Sequence, residues 1–257
     1  CVLVPSLTVL YVHMRNGRGS EKLLIASLVM AGISLLIPIL CVSRFQLLFA
    51  VLLAAFTYIS LQKLFHPGWL LGLFVVLLPF YLILTVARSH NIEYLNGIFE
   101  MKRASMPIFI SQPYIYIANN YENFDCLVKA LPAHTWGIRM LFPVWALTGL
   151  KFLYPYLVSF PIYVDKTELT TVTLIYDAYY DFGIIGVLVF ACILGAVCFF
   201  LVEKLREMKN PMGYLFYGQM AIYMMLSFFT TWFSNPTTWF YFLVTAVLTF
   251  YCSVSRR

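Results

Sequence analysis

Two carboxylates four residues apart, in Asp177-Ala178-Tyr179-Tyr180-Asp181, are the sharpest chemical signal in this chain. On a helix that spacing puts both on one face. Close carboxylates hold a proton more tightly, which suits a general acid or base. Acids in a first helical turn also complement the macrodipole without any catalysis, so spacing alone leaves both roles open. Gly183 and Gly186 follow, and small residues let a helix approach a neighbour closely. Arg44, Arg88, Arg103 and Arg139 supply the complementary charge. Guanidinium groups grip phosphates through forked hydrogen bonds, although snorkelling to a membrane interface suffices for Arg139 and serves Arg88 equally well. Arg44, in Ser43-Arg44-Phe45, lies in a short turn where snorkelling is the weaker account. His90 and His134 are each able to act as a base or to serve structure alone.

Aromatic side chains crowd the same region, among them Tyr114, Tyr121, Trp136, Trp145, Tyr154, Tyr156 and Tyr179. Rings with an apolar face and a polar tip suit sugar recognition and equally suit a bilayer interface. The six cysteines are scattered, mostly in apolar segments, and no pair has zinc spacing. With no Asp-x-Asp pair and no His-rich cluster, neither a dedicated metal site nor a cofactor is expected.

The elements that must position these residues belong to a membrane protein. Hydrophobic residues make up 62% of the 257, charged residues only 11%, and mean hydropathy is +0.85. Soluble domains carry about 25% charged residues. The net charge of +6 is no nucleic-acid footprint, because the basic residues cluster at the edges of apolar segments. A crossing helix needs about 20 apolar residues. The candidates are 2–12, 23–42, 46–61, 68–86, 182–202, 212–229 and 238–253. The chain opens at Cys1 inside an apolar run, which reads as the end of a helix begun upstream.

Nine basic residues (Arg15, Arg18, Lys22, Lys63, Lys204, Arg206, Lys209, Arg256 and Arg257) fall on one side of these segments, and only Arg44 lies in the short turns of the other. Such asymmetry places the nine in the cytoplasm and the long connection outside. Eight of the eleven acidic residues fall between Glu93 and Asp181. The stretch 138–164 of the connection reads as short helices lying on or dipping into the outer leaflet. The expected fold is an all-α polytopic membrane protein of about seven transmembrane helices, the first truncated, with one large extracytoplasmic loop containing short helices. The expected division is 1–87 and 181–257 as N- and C-terminal transmembrane parts and 88–180 as the loop.

The segment Thr-Thr-Val-Thr-Leu-Ile-Tyr-Asp-Ala-Tyr-Tyr-Asp-Phe-Gly-Ile-Ile-Gly, 170–186, resembles bacterial oligosaccharide repeat-unit polymerases, the O-antigen and capsular polysaccharide polymerases. Thr173, Tyr179, Asp181, Phe182, Gly183 and Gly186 carry the likeness, together with Ser43-Arg44 and the order of helices and loop. An Asn commonly stands three residues before the Thr in that family, and Thr170 occupies the position here. The resemblance implies transfer of a growing glycan from undecaprenyl diphosphate to the next lipid-linked repeat unit, at the outer face of the bacterial cytoplasmic membrane. It implies Asp181, Asp177 or His90 as proton acceptor, and Arg44, Arg88, Arg103, Arg139, Thr173 and Tyr179 as substrate contacts. Besides the lipid-linked oligosaccharide and the bilayer, a chain-length regulator and a flippase are the implied partners. An O-antigen ligase has the same layout. A polysaccharide transporter or flippase instead predicts ionisable residues at mid-membrane, and a non-catalytic anchor leaves the loop's charge unexplained.

Overall fold

The computed structural model describes residues 2–15, 20–62, 66–86, 91–207 and 210–254. Arg18, Lys63, Arg88, His90, Lys209, Arg256 and Arg257 lie outside the described residues. Among the described residues the regular structure is helical and no strand forms. The α-helices are α1 (Val4–Arg15), α2 (Glu21–Leu40), α3 (Arg44–Gln62), α4 (Pro67–Val86), α5 (Ile92–Ile98), α6 (Ile108–Ala130), α7 (Phe142–Leu147), α8 (Leu150–Leu153), α9 (Tyr176–Glu207), α10 (Tyr214–Met225) and α11 (Pro236–Val254).

By length and composition, three of them can cross a membrane: α2, α3 and the Tyr176–Lys204 part of α9. The apolar run Leu71–Thr85 of α4 is shorter. Most of α2 and α9 is exposed apolar surface, including Leu23, Ile25, Ile184, Ile185 and Leu188. Water would not tolerate such a surface on this scale, so these helices mark the chain as a membrane protein.

Contacts divide the chain into two units. One gathers Cys1–Ile92, Leu201–Ile222 and Thr245–Arg257. Its apolar centre joins Leu10, Leu61, Tyr214 and Leu215. Gly218 lets α10 lie against α3, because a methyl group there would meet Leu53 Cδ1 at 2.9 Å. Gln219, fully buried, donates to Thr245 Oγ1 at 2.7 Å.

The other unit gathers Glu93–Phe200 and Tyr223–Val244. Its long helix α6, 23 residues, falls inside the stretch expected as a loop of short helices. The hydrophobic period that announces a helix is inverted there. Asn119, Asn120 and Asn123 are buried, while Ile110, Tyr114, Ile117 and Tyr121 are exposed. Asn123 Nδ2 donates to the carbonyls of Leu169 and Thr171 at 2.7 and 2.8 Å, and its Oδ1 accepts the Asp165 N–H. Asn119 also donates to Leu169 O. Asn120 bridges the Thr171 hydroxyl and the Phe228 carbonyl. Buried backbone must find partners, and this ladder provides them for the irregular strap 165–171 that leads into α9.

Candidate functional site

A break in α9 builds the candidate site. Gly183 has φ 62° and ψ −148°, a region open essentially to glycine alone. The turn it makes is sharp. In a straight helix Ala178 and Gly186 would be about 12 Å apart, yet a methyl group on Gly186 would collide with the Ala178 carbonyl oxygen. Tyr176–Phe182 is therefore a short helix set at an angle to the long apolar one. A break leaves backbone carbonyls without helical partners. Here the loop 134–140 supplies them: Trp136 N–H donates to Asp181 O at 3.2 Å, and His134 Nδ1 lies 3.2 Å from Tyr180 O. Since its partner is a carbonyl, Nδ1 is the donor, and Nε2 keeps its lone pair when the ring is neutral. His134 itself is exposed.

Asp181 fastens this loop to the break. Its carboxylate accepts hydrogen bonds from the Thr135 hydroxyl, from Arg139 N–H at 3.2 Å and from Met140 N–H at 2.7 Å. The side chain is fully buried. These contacts hold Trp136 and Gly137 with φ of 55° and 96°, a left-handed pair that costs energy at Trp136 in particular. The carboxylate thus holds the loop 135–140 against the break, with no oxygen exposed.

Asp177, one turn earlier on the same face, forms an ion pair with Arg139 Nε. Both carboxylates meet Arg139, Asp177 at the side-chain Nε and Asp181 at the backbone N–H. The Arg139 guanidinium stacks over Tyr180 at 4.5 Å and Tyr176 at 5.2 Å to the ring centroids, a favourable cation–π arrangement. Its two terminal amino groups take no hydrogen bond among the described residues, and the side chain keeps 14% of its surface exposed. An arginine held at Nε by Asp177 and lying over two tyrosine rings has two terminal amino groups left to donate, the fork that suits an oxyanion. Tyr179, half-buried, sets its ring against Phe124 and His134.

The other expected residues stand apart from this cluster. Thr173 is buried in the turn before α9, and its hydroxyl has no hydrogen-bond partner among the described residues. Arg103 is exposed between α5 and α6 and takes no part in the hydrogen bonds that build the cluster. Arg44 opens α3 in the first unit, where Nη1 donates to Thr85 Oγ1 at 2.9 Å and the guanidinium lies 5.7 Å from the Tyr81 ring centroid. A cation at a helix N-terminus opposes the macrodipole, and α4 offsets that cost through these contacts. Arg88 and His90 lie outside the described residues. Cys126, on α6, has its thiol pushed above the ordinary range by burial first and then by Asp165 and Asp125, so it offers no ready thiolate.

Sequence reasoning passed over Thr135, the asparagine ladder and the pairing of Arg139 with Asp177. Thr and Asn carry no charge, and a contact 38 residues distant in sequence leaves no local signature. Gly183 beside Asp181 was the one legible sign of a break. No family model, curated protein or solved structure matches the chain.

Proposed function

We propose that this chain is a membrane glycosyltransferase that polymerises undecaprenyl-diphosphate-linked oligosaccharide repeat units at the outer face of the bacterial cytoplasmic membrane. The fold behind this proposal has about seven crossing helices and one large extracytoplasmic loop. The observation that carries the reading is Arg139, in the loop beside the start of an apolar helix of crossing length, with Nε on Asp177 and its terminal amino groups without a hydrogen bond among the described residues. In the reaction, an acceptor sugar hydroxyl attacks the anomeric carbon of the donor. The bond from that carbon to the diphosphate oxygen breaks, and the lipid diphosphate leaves with the electron pair. Arg139 meets the charge that develops on it. His134 Nε2 receives the hydroxyl proton, with the ring oriented by Tyr180 O. Asp181 and Asp177 position these two groups, and the aromatic wall of Tyr179 faces the sugars.

The test is gel analysis of surface glycan in a strain from which this chain has been deleted and to which its variants are returned. Arg139→Ala should abolish long polymer at unchanged membrane abundance, a loss of about 100-fold or more in turnover. Arg139→Lys keeps the charge without the fork and should restore little. Normal polymer in Arg139→Ala refutes the assignment. Polymer that is made but never attached to its final acceptor identifies a ligase instead.

A further inference from the structure

The segment Trp136–Tyr156 turns its apolar side chains outward. Trp136 and Phe152 are each 78% exposed, Leu153 is 73% exposed, and Leu147 and Tyr156 are mostly exposed. In α7 the pattern is that of an amphipathic helix facing the wrong way for water: Leu141, Val144 and Leu147 point out, while Pro143 is buried. Polar tips are looked after from inside, as Trp145 Nε1 donates to Ile138 O at 2.9 Å.

This face is not isolated. The Trp136 ring packs edge-on against Phe182 with centroids 6.2 Å apart. Gly137 lies so near that a methyl group there would stand 3.2 Å from the Phe182 ring. Phe182 leads directly into Ile184, Ile185 and Leu188, the exposed apolar surface of the crossing helix α9. The two exposed apolar surfaces are therefore one, continuous through the Trp136–Phe182 contact. From Trp136 to Val164 the chain holds no carboxylate, and its two charges are both basic, Arg139 and Lys151. Lys151 Nζ lies over the Phe152 ring at 5.0 Å.

We propose that Trp136–Tyr156 is an interfacial foot, embedded in the headgroup and upper acyl region of the bilayer beside the outer end of α9. Its occupant is lipid. Continuity with a membrane-crossing surface, a tryptophan and tyrosine belt, and cations without acids are the composition of that layer. The foot sets the depth at which Arg139, three residues beyond Trp136, meets the membrane. A phosphate-bearing headgroup then reaches it laterally from the leaflet. The placement in lipid stands on these exposures alone and does not require the enzymatic reading.

Photocrosslinking tests it. The full chain, with benzoylphenylalanine placed at Phe152 or Leu147, is reconstituted in vesicles of phosphatidylethanolamine and phosphatidylglycerol carrying radiolabelled phosphatidylethanolamine. Both side chains point out, so neither replacement disturbs the interior. The same probe at Ile185, on α9, reports on lipid; at Glu122, exposed on α6, it reports on water. Labelled lipid should attach at Phe152 and Leu147 to within about twofold of the Ile185 yield, and at least about tenfold above Glu122. Lipid yields at both foot positions as low as at Glu122, or crosslinks there to a second copy of the chain in place of lipid, would overturn the proposal.

Discussion

Asp181 is the residue whose assigned work changes most between sequence and structure. Its type and its spacing from Asp177 mark it for proton transfer, and its surroundings make it a fastener. Three donors converge on the buried carboxylate, a set that satisfies an anion and that an amide cannot match. Asp181→Asn turns one acceptor into a donor facing N–H or O–H groups, so a buried polar clash replaces a hydrogen bond. The expected cost is about 2–3 kcal/mol, read as a fall in unfolding temperature of the detergent-solubilised protein. Thr135→Val removes a single donor and should cost about 1 kcal/mol. If Asp181 acted only as a base, both variants would melt with the unaltered chain. The sequence displayed the carboxylates and the arginine clearly. It concealed their roles, because a role depends on which donors the fold delivers, and those come from residues 135–140.

At the scale of elements, apolar length was legible and irregular backbone was not. The crossing helices α2, α3 and α9 stand close to where hydrophobic runs place them, since length and hydropathy are local properties. Helix α6 escaped notice because five of its eight buried residues are polar: Ser111, Gln112, Asn119, Asn120 and Asn123. The break in α9 depends on two glycines with different jobs. Gly183 provides a backbone conformation closed to other residues, and a methyl group there would also press within 3.0 Å of His134 Nε2. Gly186 provides space, since a methyl group would sit 2.6 Å from Phe182 Cβ. Gly195, further along, has open surroundings. Gly183→Ala should therefore cost about 1–3 kcal/mol in strain and loosen the 134–140 loop. Gly186→Ala should do the same through collision, while Gly195→Ala is neutral. Limited trypsin digestion at Arg139 reads the difference: faster cleavage in the first two variants, unchanged in the third. Equal cleavage in all three would mean that the break does not hold the loop.

For the molecule as a whole, the question is which side of the membrane holds the polar unit. The argument is electrostatic. In the seven-span layout expected from the sequence, nine basic residues fall in short segments on one side against a single arginine on the other, and positively charged segments resist translocation. The acids follow the opposite course, with eight of eleven between Glu93 and Asp181. The proposed reaction, with a lipid-linked donor displayed on the outer leaflet, requires the same orientation. The reporter must be a surface position. Asn119 is buried against the strap 165–171 and would stay dark on either side, whereas Ser105 and Glu122 are exposed. With Cys41, which is itself exposed, replaced by serine, Ser105→Cys and Glu122→Cys should react with a membrane-impermeant maleimide in intact spheroplasts. Glu207→Cys, at the far end of α9, should react only after the membrane is opened. The reverse pattern would put Arg139 on the cytoplasmic face, out of reach of an outward-facing donor, and the glycan polymerase reading would fall with it.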